Sequence, residues 1–416
     1  MAEQESNGLR QVPGYAQYWW ATSISEFGGY FTSLAIQVLV VTTLSGTAAD
    51  VGLVNGARWL PYLVLGLLAG VFVDRVRRRP VMIVADLARG VLLVAIPLLA
   101  MTGHLTIWAL AVFMALFGFF SLIGDSATQA FVPSLVPRPL LTLAHARTDQ
   151  SAAVAQSSGP ALAGGFVTLF SAPWAVAVDA ATYLFSAAML LTIRVQEPQP
   201  VVGPRPSIFG DVWEGLRWVY GHAILAPLAL TTHAWFIFSA IAGAVFVPFA
   251  LQTVGFSAFT LGLTLSLAGL GGLAGSLVST RLGARFGAGR VIWASRMLTG
   301  LAYGLVALAP SGLAGLALVG LGQLVLGVSM GIENANSMGY RQSVTPDNLQ
   351  GRMNATNRSI NRGMIVVAAP LGGLLADAIG YRTTLWIAAA GFVAVAIIGL
   401  FSRLWSARLE TVPPDA

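Results

Sequence analysis

Long apolar stretches, each closed by a short polar break, repeat along almost all of the 416-residue chain. A helix crosses the hydrocarbon core of a bilayer with about 20 mostly apolar residues. Twelve stretches reach that length, at about 17–44, 50–73, 80–101, 106–127, 148–170, 174–193, 224–252, 258–280, 290–309, 313–338, 353–378 and 382–402. The breaks carry turn residues such as Ser45-Gly46, Thr102-Gly103, Pro310-Ser311-Gly312 and Gly380. The pattern predicts an all-α polytopic membrane protein with twelve transmembrane helices in two pseudo-symmetric six-helix bundles. Their expected bounds are 1–194 and 224–416, joined by a linker over 195–223.

The linker is the one long polar break. It opens on Pro198, Pro200, Pro204 and Pro206, and Ser207 is placed to cap IFGDVWEGLRWVYGH. Ile208, Val212, Leu216 and Val219 share one face of that segment and Asp211, Glu214 and Arg217 another, so a short amphipathic helix lying on the membrane surface is expected.

The two halves resemble each other at nearly constant offset. GTAADVGL (46–53) aligns with FSAFTLGL (256–263), Asp125 with Glu333, Pro137 with Pro346, and Gly164-Gly165 with Gly372-Gly373. Parallel six-helix repeats of this kind place a transport path at their interface and work by rocking of one half against the other.

Composition agrees with this reading. The chain is 56% hydrophobic and 10% charged, against about 25% charged in soluble domains. All 23 basic residues are Arg. With the N-terminus inside, 17 of them fall on inner loops and tails: positions 10, 75, 77–79, 138, 147, 194, 205, 217, 281, 285, 290, 341, 352, 403 and 408. Only Arg382 falls outside. This asymmetry sets both termini in the cytoplasm of a bacterial inner (cytoplasmic) membrane. The basic pI therefore reflects topology, and no nucleic-acid partner is expected. The start, MAEQESNGLRQVPGY, reads as a retained cytoplasmic tail with no signal-peptide pattern. Cysteine is absent, and the four His (104, 145, 222, 233) lack metal-ligand spacing. No cofactor, no metal site and no catalytic motif is expected, so the chain is not read as an enzyme.

Three groups of residues carry a family resemblance. Gly70-Val-Phe-Val-Asp74-Arg75-Val-Arg77-Arg78-Arg79, after the second stretch, resembles the signature loop of the major facilitator superfamily, with Arg77 where that family usually has Gly. The resemblance implies a gating role for Gly70, Asp74, Arg75, Arg78 and Arg79. Ser158-Gly159-Pro160-Ala161-Leu162-Ala163-Gly164-Gly165 resembles the superfamily's antiporter motif through Gly159, Pro160, Gly164 and Gly165. Pro160 can bend the helix, and the glycines permit close approach of a neighbour. Finally, Asp125-Ser-Ala-Thr-Gln-Ala-Phe-Val-Pro133, EGLRWV (214–219) and Pro346-Asp-Asn-Leu-Gln-Gly351-Arg352-Met-Asn354 are together similar to the efflux branch that includes the enterobactin exporter and macrolide efflux proteins. The resemblance implies proton-coupled export of small organic molecules such as drugs, siderophores or metabolites.

Ionisable residues at membrane depth are functional candidates by default. Glu26 and Asp125 are the candidates for proton coupling. Glu26 has no Arg within a helical turn, and Asp125 has a possible inner-surface partner in Arg147. Glu333, Asn334, Arg358 and Arg362 are cavity or ion-pair candidates, with Glu333 and Arg358 at similar heights. Asp86 and Arg89, three apart, are expected to neutralise each other. Arg58 stands about 12 Å below the outer surface at 1.5 Å per residue, where it can attract an anionic ligand or pair with Asp50. The stretch holding Asp125 has no Arg, whereas drug–proton antiporters of the superfamily carry one there. The expected activity is secondary export of a small-molecule substrate by a monomer in the lipid bilayer, in exchange for protons. The alternative is a transporter-like membrane sensor or scaffold that binds ligand without turnover.

Overall fold

The computed structural model describes residues 8–9, 11–73, 75–195, 197 and 208–407. Asp74 of the signature loop, the expected cap Ser207, the linker prolines, Arg10, Arg205 and Arg408 lie outside the described residues.

The described residues contain twelve long helices and no strand. In the first half these are α1 (Tyr15–Val38), α2 (Ala48–Val73), α3 (Arg78–Met101), α4 (Ile107–Leu135), α5 (Leu141–Phe170) and α6 (Ala172–Thr192). A shorter helix, α7 (Ile208–Gly221), occupies the linker. The second half holds α8 (Leu225–Pro248), α9 (Ala258–Phe286), α10 (Ala288–Leu308), α11 (Leu313–Val344), α12 (Asp347–Ile379) and α13 (Tyr381–Leu400). Ten of the twelve are long and apolar enough to cross a membrane. α2 and α5 have comparable length, at 26 and 30 residues.

Several helices outrun the apolar stretches that announced them. α4 continues to Leu135, α5 starts at Leu141 and α11 reaches Val344. Outside the hydrocarbon a helix needs backbone hydrogen bonds and no apolar side chains. Hydropathy therefore marks the membrane's thickness and not the helix's end.

The described residues form two compact units. One comprises Met1–Gly46, Ala57–Arg205 and Ser257–Gly262, the other Thr47–Gly56, Pro206–Phe256 and Leu263–Ala416. Each unit thus includes a short segment from the other half of the chain. Within the first, α1 packs on α5 and α6, and α3 on α4 and α6. Within the second, α8 packs on α12 and α13, and α10 on α11 and α13. The two sets correspond pair for pair under the repeat read from the sequence.

Finer details repeat too. α1 and α8 both end in a π-helical turn, Leu39–Thr43 and Phe249–Val254. The turns that follow α1 and α5 use Ser45 (φ 50°) and Ser171 (φ 81°), whereas their repeat equivalents are Gly255 (φ 84°) and Gly380 (φ 89°). Ser171 also has ψ 161°, a conformation nearly confined to glycine that costs about 1–3 kcal/mol for other residues. Glycine would relieve that strain and lose about 0.4–1 kcal/mol through its freer unfolded chain. Ser171→Gly is therefore expected to stabilise the protein by about 1 kcal/mol, seen as a raised melting temperature in detergent. A lowered one would contradict the strain.

Candidate functional site

In the first unit, polar groups from α1 to α6 collect inside the helix bundle. Asp86 and Arg89 form the expected short-range ion pair. Ser186 on α6 donates to Asp86 Oδ2 at 2.6 Å, and the Arg89 guanidinium lies 4.4 Å from the centre of the Tyr183 ring. That cluster is buried and satisfied, which suits a structural role joining α3 to α6. Asp179 is fully buried and accepts from Thr182 Oγ1 at 2.9 Å.

Glu26 and Asp125 differ from these. Both residues are exposed at the bundle's surface, and their charges act on each other. Tyr62 on α2 donates its hydroxyl to Asp125 Oδ2 at 2.8 Å. Neither carboxylate belongs to an ion pair among the described residues. Arg58 is in no ion pair among the described residues either, though its charge acts on the buried Asp179. Its guanidinium lies 5.6 Å from the Trp59 ring centre and 5.1 Å from that of Phe117, an arrangement that holds a cation by its aromatic faces. Asp50, considered above as its partner, accepts instead from the Thr47 amide at 2.8 Å and helps start α2.

Of the signature loop, Gly70 belongs to α2, and Arg75 and Arg77 are exposed in the turn before α3. The carboxylate of Glu197 accepts from the backbone amides of Arg78 and Arg79 at 2.5 and 3.0 Å. The Arg79 guanidinium donates to the carbonyls of Leu190 and Leu191 at the end of α6.

The glycines of the antiporter motif are not equivalent. A Cβ on Gly164 would lie 2.3 Å from the Ala258 carbonyl oxygen, and one on Gly262 2.2 Å from that of Pro160. Backbone meets backbone where α5 receives the start of α9. A Cβ on Gly165 would only touch the Phe259 ring, at 3.6 Å, and one on Gly159 would press on Tyr30. Thr168 Oγ1, one turn on, accepts from the Phe259 amide at 3.0 Å. The repeat equivalent lies in the second unit. A Cβ on Gly373 of α12 would meet the Ala48 carbonyl oxygen at 2.2 Å, and Asp377 accepts from the Ala48 and Ala49 amides at 3.1 and 3.0 Å.

Also in the second unit, Glu333 pairs with Arg296 on α10 at 2.9 Å and not with Arg358 as its height suggested. Arg296 is 1% exposed and donates also to Thr232 Oγ1 on α8 at 2.8 Å. Similar height along two helices does not make two side chains neighbours; α10 packs on α11, and that contact decides the partner. Asn334 and Arg358 are exposed, and Arg362 is half-buried.

The linker helix does more than lie on a surface. α7 packs on α12 and α8. A Cβ on Gly215 would lie 2.6 Å from Thr356 Oγ1. Glu214 pairs with Arg352 at 2.6 Å, and Trp218 Nε1 donates to Thr345 Oγ1 at 3.2 Å. EGLRWV and the segment opening α12, far apart in sequence, are thus one docking surface. Next to it His233 Nδ1 donates to Asn361 Oδ1 at 2.6 Å, leaving Nε2 of the neutral ring to accept from the Tyr220 hydroxyl at 2.8 Å. Burial raises the Tyr220 phenol above the ordinary tyrosine range, so it stays a donor at neutral pH.

Sequence reasoning missed Tyr62, Thr232, Ser186 and the Tyr220–His233–Asn361 chain. A single hydroxyl or imidazole in an apolar stretch gives no periodic signal, and its partner comes from another helix.

A profile of the family described as transmembrane secretion effector matches residues 9–415. The chain belongs to the major facilitator superfamily. This superfamily member is similar to the multidrug efflux pump Tap of Mycolicibacterium fortuitum, at 26% identity over 93% of this chain and 95% of that one. It is similar also to the enterobactin exporter EntS of Salmonella typhimurium, at 27% identity over 85% of this chain and 83% of that one. Among solved structures, the nucleoside transporter NupG matches with a TM-score of 0.74 at 12% identity, over 93% of this chain and 98% of that one. A bacterial homologue of the iron transporter ferroportin matches with a TM-score of 0.73 at 15% identity, over 95% and 99%. These two likenesses establish the transporter fold. The chain is a multi-pass membrane transporter.

Proposed function

We propose that the chain exports a small organic molecule from a bacterial cytoplasmic membrane by alternating access, in exchange for protons, with both termini in the cytoplasm. The relatives named for multidrug efflux and for enterobactin export support the direction and the cargo class. The arginine distribution supports the orientation. The observation that carries proton coupling is the accessible pair Glu26 and Asp125, each free of a described ion pair and each within the other's field. A coupling carboxylate must gain a proton on one side and lose it on the other, which a guanidinium fixed beside it would prevent. Arg58, presented between aromatic rings, is the group on which an anionic portion of the cargo would dock. The signature-loop arginines, with Asp74, would form the gate.

The test uses proteoliposomes with an imposed pH gradient, an internal pH-sensitive dye, and a panel of amphipathic drugs and catechol chelators. The parent protein is expected to leak protons when a transported compound is added. Glu26→Gln should fall to the level of empty vesicles while still folded, and Asp125→Asn should be strongly reduced. Unchanged proton flux in Glu26→Gln would remove that residue from the coupling step. Compound binding without any proton or compound flux in the parent would instead favour a receptor.

A further inference from the structure

One cavity plays no part in this scheme. A groove of about 470 Å³ runs along the first unit, walled by α2, α3 and α4. Leu65, Leu68 and Phe72 come from α2, Pro80 and Val84 from α3, and Phe119 from α4; among the described residues no charged side chain lines it. It opens sideways, with Phe72 51% and Val84 60% exposed. Its polarity changes abruptly at one end. Phe72 and Pro80 both line it, and the chain between them carries Arg75, Arg77, Arg78 and Arg79. Arg75 and Arg77 are exposed, and Arg78 Nε is buried with no hydrogen-bond partner. Arg79 and the first amides of α3 are already engaged by α6 carbonyls and by Glu197. That leaves the exposed Arg75 and Arg77, and the unpartnered Nε of the half-buried Arg78, without a described anion.

We propose that this groove holds an acyl chain of an anionic glycerophospholipid whose phosphate sits on the arginine turn between α2 and α3. The match is one of shape and charge together. An apolar slot open to the bilayer suits a hydrocarbon tail, and a cluster of arginines at the membrane surface attracts anionic headgroups. A second protein helix would bring its own charged ends or loops to the turn and would not need a carbon-lined slot ending in cations. A phosphate ion alone would leave the groove without a role.

Retained lipid is measured by native mass spectrometry after the full-length protein in detergent is titrated with phosphatidylglycerol or phosphatidylcholine of equal chain length. The parent is expected to keep one phosphatidylglycerol in preference to phosphatidylcholine. Replacing Arg75 and Arg77 by Gln should cut that preference about thirtyfold, the worth of two surface arginines. Val84→Trp, which fills the groove from its exposed rim, should abolish retention of both lipids. Equal retention of the two lipids by the parent, or an undiminished preference in the double Gln variant, overturns the headgroup contact. Full retention in Val84→Trp overturns the groove. Should that variant fold poorly, the absence of cysteine offers a second measurement. A fluorophore on Leu68→Cys should be quenched by phosphatidylglycerol with brominated tails more strongly than one on Val91→Cys, which lies on α3 away from the groove. Equal quenching at the two positions overturns the proposal.

Discussion

Glu333→Gln is expected to destabilise the protein by about 3–5 kcal/mol. The reason is Arg296. Its side chain is 1% exposed, its Nε donates to Glu333, its second nitrogen donates to Thr232, and its third is buried with no hydrogen-bond partner. Removing the carboxylate leaves a guanidinium with neutral partners only, in surroundings from which water is excluded. A guanidinium does not shed its proton to escape, because arginine stays charged at any working pH. Replacing both residues removes the difficulty. Arg296→Met with Glu333→Leu is expected to melt close to the parent or above it, since an apolar pair of similar volume is often as stable as a buried ion pair. Thermal unfolding in detergent checks both variants. A Glu333→Gln protein melting with the parent would mean that Arg296 reaches water or another anion. The double variant carries a second reading: if it folds well but does not transport, the pair serves the transport cycle and not the fold.

The second large effect separates two adjacent glycines. Gly164→Ala is expected to cost about 1–3 kcal/mol, because its methyl group would press on the Ala258 carbonyl and backbone cannot move aside as a side chain can. Gly165→Ala is expected to gain up to about 1 kcal/mol, because alanine is the better helix former and the Phe259 ring leaves ordinary contact space. Gly373→Ala should behave like Gly164→Ala, since its methyl group would meet the Ala48 carbonyl. Melting temperatures of the three variants test this directly. Equal shifts for Gly164→Ala and Gly165→Ala would show that the α5–α9 approach is looser than described.

The contrast also marks how far the sequence could be read. Twelve long helices, the linker helix and the repeat were legible because each rests on a pattern many residues long. The repeat was traced through Gly164-Gly165 and Gly372-Gly373, and within those pairs Gly164 and Gly373, one residue out of the aligned register, take equivalent places against Ala258 and Ala48. That Gly165 has room while Gly372 and Gly373 both meet backbone, at Ile241 Cα and the Ala48 carbonyl, depends on rotation about the helix axis by one residue, and no offset resolves that. The site was less legible. Asp86 and Arg89 found each other because they sit on one helix at a spacing that makes neighbours. Glu333 was matched to Arg358 by depth, but its partner is Arg296, since helix packing and not height decides which side chains meet. Tyr62 and Asp125 are 63 residues apart, and nothing in either stretch announces the other.

Asp377 and the two amides it receives at the head of α2 are separated by more than three hundred residues of chain. On a ribosome making the protein from its N-terminus, that helix must enter the bilayer with its first turn unfinished and stay so until nearly the last span has been synthesised. Segments 47–56 and 257–262 each complete a body encoded mainly by the opposite half. The body built mainly from the first half is therefore unfinished when that half's translation ends. Insertion can proceed span by span, but the first body closes only once residues 257–262 are made and the head of α2 only once Asp377 is, so the tightening comes in two successive late steps.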